Sequence, residues 1–413
     1  MKKLLTSLTL LLVATFSFAQ AVNDSVMLGA QYANQVWYSL ANDKQGTSAK
    51  NNWDIAFEIN SITSSILLNS ANGNTLWVYP KSDITGWSTI DTTGITTWPK
   101  LYNSDLAWEM GAFNVNIDPF DAADLGWGVY NTSNHQVVGD SLYVIKLSNG
   151  AYKKLWIEKL ANSTYTFKYG NLDNTAEETK TIAKADFTGK NFGYFSIQNG
   201  TQVNREPLAA NWDLTFTQYT AFVPVAYTVS GVLTNKTTGT VKVYPVNDPS
   251  TYKDYASQTF GSTINTLGWG WKTYNMTLGA YVIEDSTVYF IKDGNDDVWK
   301  LIFTGFASSN GKFVFSKEKL TSSVGINAPV KNNFFTLYPN PASAGAVSIV
   351  MDMAADATVN IMDMGGKVLN TQTLQGNGLS THALNTQGLA NGLYMVQVAM
   401  GNQVFTQKLA INQ

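Results

Sequence analysis

The sequence predicts an all-β protein: two duplicated antiparallel β-meander repeats followed by a C-terminal immunoglobulin-like β-sandwich. Three observations predict it. Apolar and polar residues alternate with period two over short segments bounded by Asn-Gly and Asp-Gly pairs. Five landmarks recur in the same order along residues 20–320. Beyond them the composition breaks: all 12 tryptophans lie from Trp37 to Trp299, and the rest is Trp-free and rich in Gly and Asn. No long segment carries the helical period.

Taken from the N-terminus, residues 1–19 read as a signal peptide. Lys2 and Lys3 precede the apolar run 4–18, and Ser17 and Ala19 place small side chains where a signal peptidase reads them. Cleavage is expected between Ala19 and Gln20. The run is shorter than the roughly 20 residues of a membrane span, and no other stretch is long and apolar enough to be one, so an integral membrane protein is not expected.

The duplication follows. Asn52-Trp53-Asp54-Ile55-Ala56-Phe57 recurs as Asn211-Trp212-Asp213-Leu214-Thr215-Phe216, and Val78-Tyr79-Pro80 as Val243-Tyr244-Pro245. Gly126-Trp127-Gly128 recurs as Gly268-Trp269-Gly270, each followed by Tyr-Asn, and Asp140-Ser141 with a strand ending Ile145-Lys146 recurs as Asp285-Ser286 with Ile291-Lys292. The repeats are placed at 20–180 and 181–320. Each ends in a meander. In the first, 141–147, 152–160 and 164–169 are strands around Asn149-Gly150 and Asn162-Ser163; in the second, 288–292, 298–303 and 313–315 surround Asp293-Gly294 and Asn310-Gly311. Asn-Gly supplies the positive φ that tight hairpins need. One short helix is expected over 118–125, with Asp118 as its cap and Pro119 at its first position. The small, polar stretch 321–333 is a linker, and 334–413 is a separate domain of about seven short strands.

Composition excludes several functions. The 413 residues carry a formal charge of −3, which gives no footprint for nucleic acid. There is no cysteine, hence no disulfide, thiolate metal site or N-terminal lipid anchor, and the two histidines, His135 and His382, are too few for a three-histidine zinc site or a conventional triad.

From residue 334 onward the chain resembles the type A sorting domain of the type IX secretion system. The resemblance is carried by Leu337-Tyr338-Pro339-Asn340-Pro341, by 359–363 with Gly365-Gly366-Lys367-Val368-Leu369, by Leu389-Ala390-Asn391-Gly392-Leu393-Tyr394, and by Lys408-Leu409-Ala410-Ile411. It implies a β-sandwich recognised by the outer-membrane translocon and removed by a sortase-like protease, and hence a secreted or surface-exposed protein. Turns are expected at Gly365-Gly366 and Gly401-Asn402. The duplicated region resembles the HmuY-like family of secreted haem-binding proteins through Trp53-Asp54-Ile55-Ala56-Phe57, Tyr143-Val144-Ile145-Lys146 and Lys154-Leu155-Trp156-Ile157, and their second-copy counterparts. That resemblance implies binding of haem or another tetrapyrrole.

Axial haem ligation needs His or Met. His135, Met110 and Met276 are the candidates, His135 and Met276 lying in comparable loops after Tyr-Asn. Trp87, Trp98 and Trp108 are candidates to stack on sugars, whereas Trp53 and Trp212 are expected in the core with Ile55, Phe57, Leu214 and Phe216. No carboxylate pair has glycosidase spacing, and Asp118, Asp121 and Asp124 lack the alternation of a calcium loop. A non-enzymatic binding protein for haem or another small ligand is expected, with an adhesive or glycan-binding surface protein as the alternative.

Overall fold

Strand follows strand through a computed structural model that describes residues 20–59, 63–321 and, in the tail, 335–412 apart from 341, 343–345, 354–355, 365, 376–377 and 401–402. The expected signal segment, all but the first residue of the expected linker, Gly365 and the expected Gly401-Asn402 turn lie outside the described residues. The chain divides into two compact units, Met1–Ser322 and Ser323–Gln413.

The first unit opens with β1 (Val22–Met27), β2 (Asn34–Ser39) and β3 (Asp43–Ala49). Next come β4 (Ile55–Glu58), β5 (Ile66–Leu68), β6 (Thr75–Val78), β7 (Gly128–Asn131), β8 (Gln136–Gly139), β9 (Leu142–Lys146), β10 (Tyr152–Ala161), β11 (Thr164–Gly170), β12 (Glu178–Ala183), β13 (Phe192–Ser196) and β14 (Thr201–Val203). The series restarts as β15 (Leu214–Phe222), β16 (Ala226–Thr234), β17 (Gly239–Val243), β18 (Lys272–Asn275), β19 (Ala280–Ile283), β20 (Val288–Lys292), β21 (Val298–Ala307) and β22 (Lys312–Lys319). Both meanders form where alternation and turn residues place them.

Strands β4 to β14 build one lobe. A sheet ordered β12-β11-β10-β9-β6, with the β7–β8 hairpin attached to β10, packs on a four-stranded sheet ordered β14-β13-β4-β5. Ile55, Phe57, Ile145, Leu155, Ile157, Phe167 and Phe195 are fully buried between them. Strands β15 to β22 repeat the first eight of these strands and then stop. The three missing strands come from the N-terminus. β1 pairs with β22 as β12 pairs with β11. β2 pairs with β15 as β13 pairs with β4, and β3 pairs with β2 as β14 pairs with β13. Val26, Leu28, Val36, Tyr38 and Leu40 thereby enter the core of the second lobe with Phe216, Trp271, Phe303 and Phe315.

This corrects the expected repeat boundaries. The 180/181 boundary falls inside β12, and 22–49, expected in the first repeat, completes the second. One lobe is 52–203; the other is 211–320 closed by 22–49. The physical reason is that β15 and β22 would otherwise be open sheet edges, and the N-terminal strands cover them. A second correction concerns the Gly-Trp-Gly landmark. The main-chain N–H of Asp140 donates to the Trp127 carbonyl as that of Glu284 donates to the Trp271 carbonyl, so Trp127 corresponds to Trp271 and not to Trp269. The helix expected over 118–125 is instead a run of turns. Asp118 and Asp121 side chains each accept the N–H two residues on, and Asp124 accepts those of Asp118 and Gly126, a local alternative that competes with helix.

Among the described residues of the tail are seven strands, in line with the seven or so expected: β23 (Phe335–Tyr338), β24 (Ala346–Met353), β25 (Ala357–Met362), β26 (Val368–Leu374), β27 (Gly378–Asn385), β28 (Gly392–Met400) and β29 (Gln403–Ile411). Sheets β23-β24-β27 and β26-β25-β28-β29 enclose Val347, Ile349, Val359, Val396, Val398 and Leu409.

Candidate functional site

Each lobe's four-stranded sheet has one face on its own core. Its other face meets the equivalent face of the other lobe. Ala56, Leu67, Phe192 and Tyr194 cover the first lobe's outer face; Tyr219, Ala221, Val229 and Leu233 cover the second's; Trp108 packs against both groups. The indole N–H of Trp108 donates to the Thr234 carbonyl at 2.8 Å, and Ser70 and Thr220 hydroxyls meet at 2.7 Å. The buried Glu58 carboxylate accepts from the Ser65 N–H at 2.8 Å and forms an ion pair across the lobes with Lys236.

Between these faces lies a cleft of about 80 Å³. Trp53, Trp108, Trp212, Tyr194 and Tyr219 line it, among neutral amides and hydroxyls such as Asn103 and Gln218. The expectation that Trp53 sits in the core beside Ile55 and Phe57 is therefore corrected. Strand pairing begins at Ile55, and the chain bends at Asp54, whose carboxylate accepts from Asn74 and from the Gln198 N–H. Alternation does not carry across the bend, so Trp53 turns outward with Ala56. Trp212 is buried, but its side chain also lines the cleft.

Both tryptophan segments are braced by an asparagine that sequence reasoning missed. Asn69 Nδ2 donates to the carbonyls of Lys50 and Trp53, both at 2.8 Å. Asn235 Nδ2 donates to those of Ala209 and Trp212 at 2.7 and 2.6 Å. The signal was an asparagine ending the second strand of each copy, hidden by the greater length of β15 and β16.

Arg205, the chain's single arginine, was missed as well. Its guanidinium lies 5.1–5.5 Å from the rings of Tyr194, Trp37 and Trp53 and donates to Gln35 Oε1 at 2.9 Å and to the Ala49 carbonyl at 3.0 Å. Burial lowers its pKa to about 10, so it stays charged, held by ring faces and acceptors. Beside it, burial pushes the Glu206 carboxyl up to about 7, against hydrogen bonds from Tyr194 and the Asn191 N–H that favour its charged form. Two lining side chains lack partners: the Trp212 indole N–H and the Tyr219 hydroxyl. An unpaired buried polar group costs about 1–3 kcal/mol.

The other expected site residues lie elsewhere. His135 occupies the β7–β8 turn at φ 56°, the position Gly279 takes at φ 60° in the β18–β19 turn, and its Nδ1 meets the Tyr130 hydroxyl at 2.7 Å. Met276 is in that second turn and almost fully exposed; Met110 is half-exposed in the loop after Trp108. None of the three lines the cleft. Trp87 and Trp98 pack on the outer face of the sheet that contains β6, β9 and β10, where the Trp87 ring lies 4.3 Å from the buried Lys154 ammonium. Among the described residues no three His, Cys, Asp or Glu side chains are grouped to hold a metal ion. Asp293 accepts from the N–H groups of Asn295 and Asp297, the turn role its sequence suggests.

Residues 336–412 match the secretion system C-terminal sorting domain, so the chain carries the sorting signal of the type IX system. That signal implies export to the cell surface or beyond and interaction with the type IX machinery. Among the described residues no helix is long and apolar enough to cross a membrane. No curated protein matches the chain.

Proposed function

We propose that residues 20–321 form a non-enzymatic binding protein, delivered by its sorting tail after removal of residues 1–19, and that the cleft between the lobes holds its ligand. The observation that carries this is the meeting of two equivalent sheet faces around an aromatic-lined space. Concave, mostly apolar sites with a few placed polar groups are where small ligands bind. The haem reading draws on His135, Met110 and Met276, which stand on three separate loops away from that space. An adhesive role has its own support: the β15–β16 hairpin exposes Phe222, Val223, Val225 and Tyr227 near its tip.

The test is calorimetric titration of the mature chain, 20–413, with haemin, neutral saccharides and short uncharged peptides. At least one should bind saturably, and Ala71→Trp, which fills the cleft from its lining, should abolish the binding. A response that survives Ala71→Trp, a haemin response lost in His135→Ala, or no response to any probe would overturn the proposal.

A further inference from the structure

We infer that the edge strand β16 of the second lobe pairs with β16 of a second copy of the chain, Ala226 of one copy opposite Thr228 of the other, so that the protein is a two-fold dimer through this edge. The inference is independent of the cleft, and three observations carry it.

The first is length. β15 and β16 have nine residues each and pair without a bulge, whereas their counterparts β4 and β5 have four and three. β16 ends its sheet, whose order is β16-β15-β2-β3. The second is where the protein covers that edge and where it stops. In the first lobe, Asn103 takes both the N–H and the carbonyl of Leu68, at 2.9 and 2.8 Å, and Asn114 accepts the Ile66 N–H at 3.0 Å. At the equivalent positions of β16, the Thr234 N–H donates to the Ile264 carbonyl at 2.9 Å, and Val232 exchanges two hydrogen bonds of 3.0 Å with Gly268. The Ser230 carbonyl accepts from Lys272 Nζ at 2.7 Å. There the cover ends. Alternate residues of a strand turn their main-chain groups away from the partner strand. Ala226 and Thr228 continue that outward series, and among the described residues neither makes a main-chain hydrogen bond on that side. The third is the lack of the charges, prolines and bulges that guard exposed edges. No charged residue lies in 214–235, and Pro224 is in the turn rather than the strand. Tyr227 is 65% exposed, beside Phe222, Val223 and Val225.

A second copy fits this edge because the edge is complementary to itself. Set antiparallel about Tyr227, two copies place each Ala226 opposite a Thr228, and the two free N–H groups and two free carbonyls of each side pair with none left over. The two Tyr227 rings then face one another on one side of the joined sheet, an aromatic cross-strand contact of the kind that stabilises sheets. A two-fold interface sets a patch against itself; a charged edge would resist that, and this neutral one does not.

The experiment measures the mass of the mature chain, 20–413, by light scattering and by sedimentation over a concentration series. A dimer is expected. Thr228→Pro removes an N–H that has no use inside the protein and should give a monomer with an unchanged near-ultraviolet spectrum, since proline is tolerated where an edge N–H faces away from its sheet. Tyr227→Lys and Tyr227→Glu should each be monomeric, because each sets like charges opposite one another. Their equimolar mixture should dimerise, because opposite charges then meet across the same pair. A wild type that stays monomeric would overturn the inference and leave the edge to an extended segment of another protein. A dimer that survives Thr228→Pro would overturn it as well, and so would a mixture that stays monomeric while both charge variants keep the wild-type spectrum.

Discussion

Deleting residues 22–49 should unfold the second lobe and leave the first intact. The deletion removes β1 to β3, and with them Val26, Leu28, Val36, Tyr38 and Leu40, all almost completely buried. Large-to-small changes at single core positions cost about 2–5 kcal/mol, and a whole domain is stable by only about 5–15 kcal/mol. Losing five such side chains and two strand pairings exceeds what the lobe has. Limited proteolysis with mass spectrometry should show rapid cleavage within 211–320 and protection of 52–203. A permutant running 50–320, a short Gly-Ser linker, 20–49 and then the tail should fold normally, because the start of β1 lies beside the end of β22: Val22 is opposite Lys317. A deletion protein that still melts as one cooperative unit with native near-ultraviolet dichroism would refute the closure.

Replacing Lys236 by Met should destabilise the first unit by about 3–5 kcal/mol, the usual result of stripping the partner from a buried charge. Glu58 has no exposed surface, and its carboxylate already holds the Ser65 N–H and the Thr63 hydroxyl. Without Lys236, which reaches it from the turn between β16 and β17, the charge remains buried without its ion-pair partner. Adding Glu58→Gln to Lys236→Met should recover much of the loss, since the neutral amide removes the stranded charge. Urea unfolding of wild type, single and double variants measures both effects. A single variant as stable as wild type would show that the pair contributes nothing to joining the lobes.

Much of this fold was legible because it is local. Alternation through 141–147 and 152–160, with Asn149-Gly150 between them, placed β9 and β10 to within a residue at either end. The tail could be read from its Pro, Gly and Asn signals in the same way. Pairing between distant strands was not legible. β1 (VNDSVM) and β12 (ETKTIA) fill equivalent places with no similarity, because an edge strand is specified mainly by having a sheet to close. The Gly-Trp-Gly match misled for a simple reason. Trp269 and Trp271 are two apart, and only the hydrogen bond to Glu284 shows which one occupies the place of Trp127. At the cleft, Trp108 was the one proposed sugar-stacking residue of three that lies at the site. Trp53 was assigned to the core because a period-two reading has no way to register the bend at Asp54. Arg205 was conspicuous as the single arginine of the chain, but its role depends on rings from β2, β13 and residue 53, which only the closed fold assembles.

The most direct test of the central claim is hydrogen–deuterium exchange of the mature chain with and without a saturating concentration of its tightest-binding probe. A ligand between the lobes must slow exchange on both walls together, so peptides covering 53–71 and 191–206 from one side and 212–220 from the other should gain protection at the same time. The hairpin turns at 131–136 and 275–280, which carry His135 and Met276, should stay unchanged. Protection confined to those turns, with none at either wall, would contradict the account.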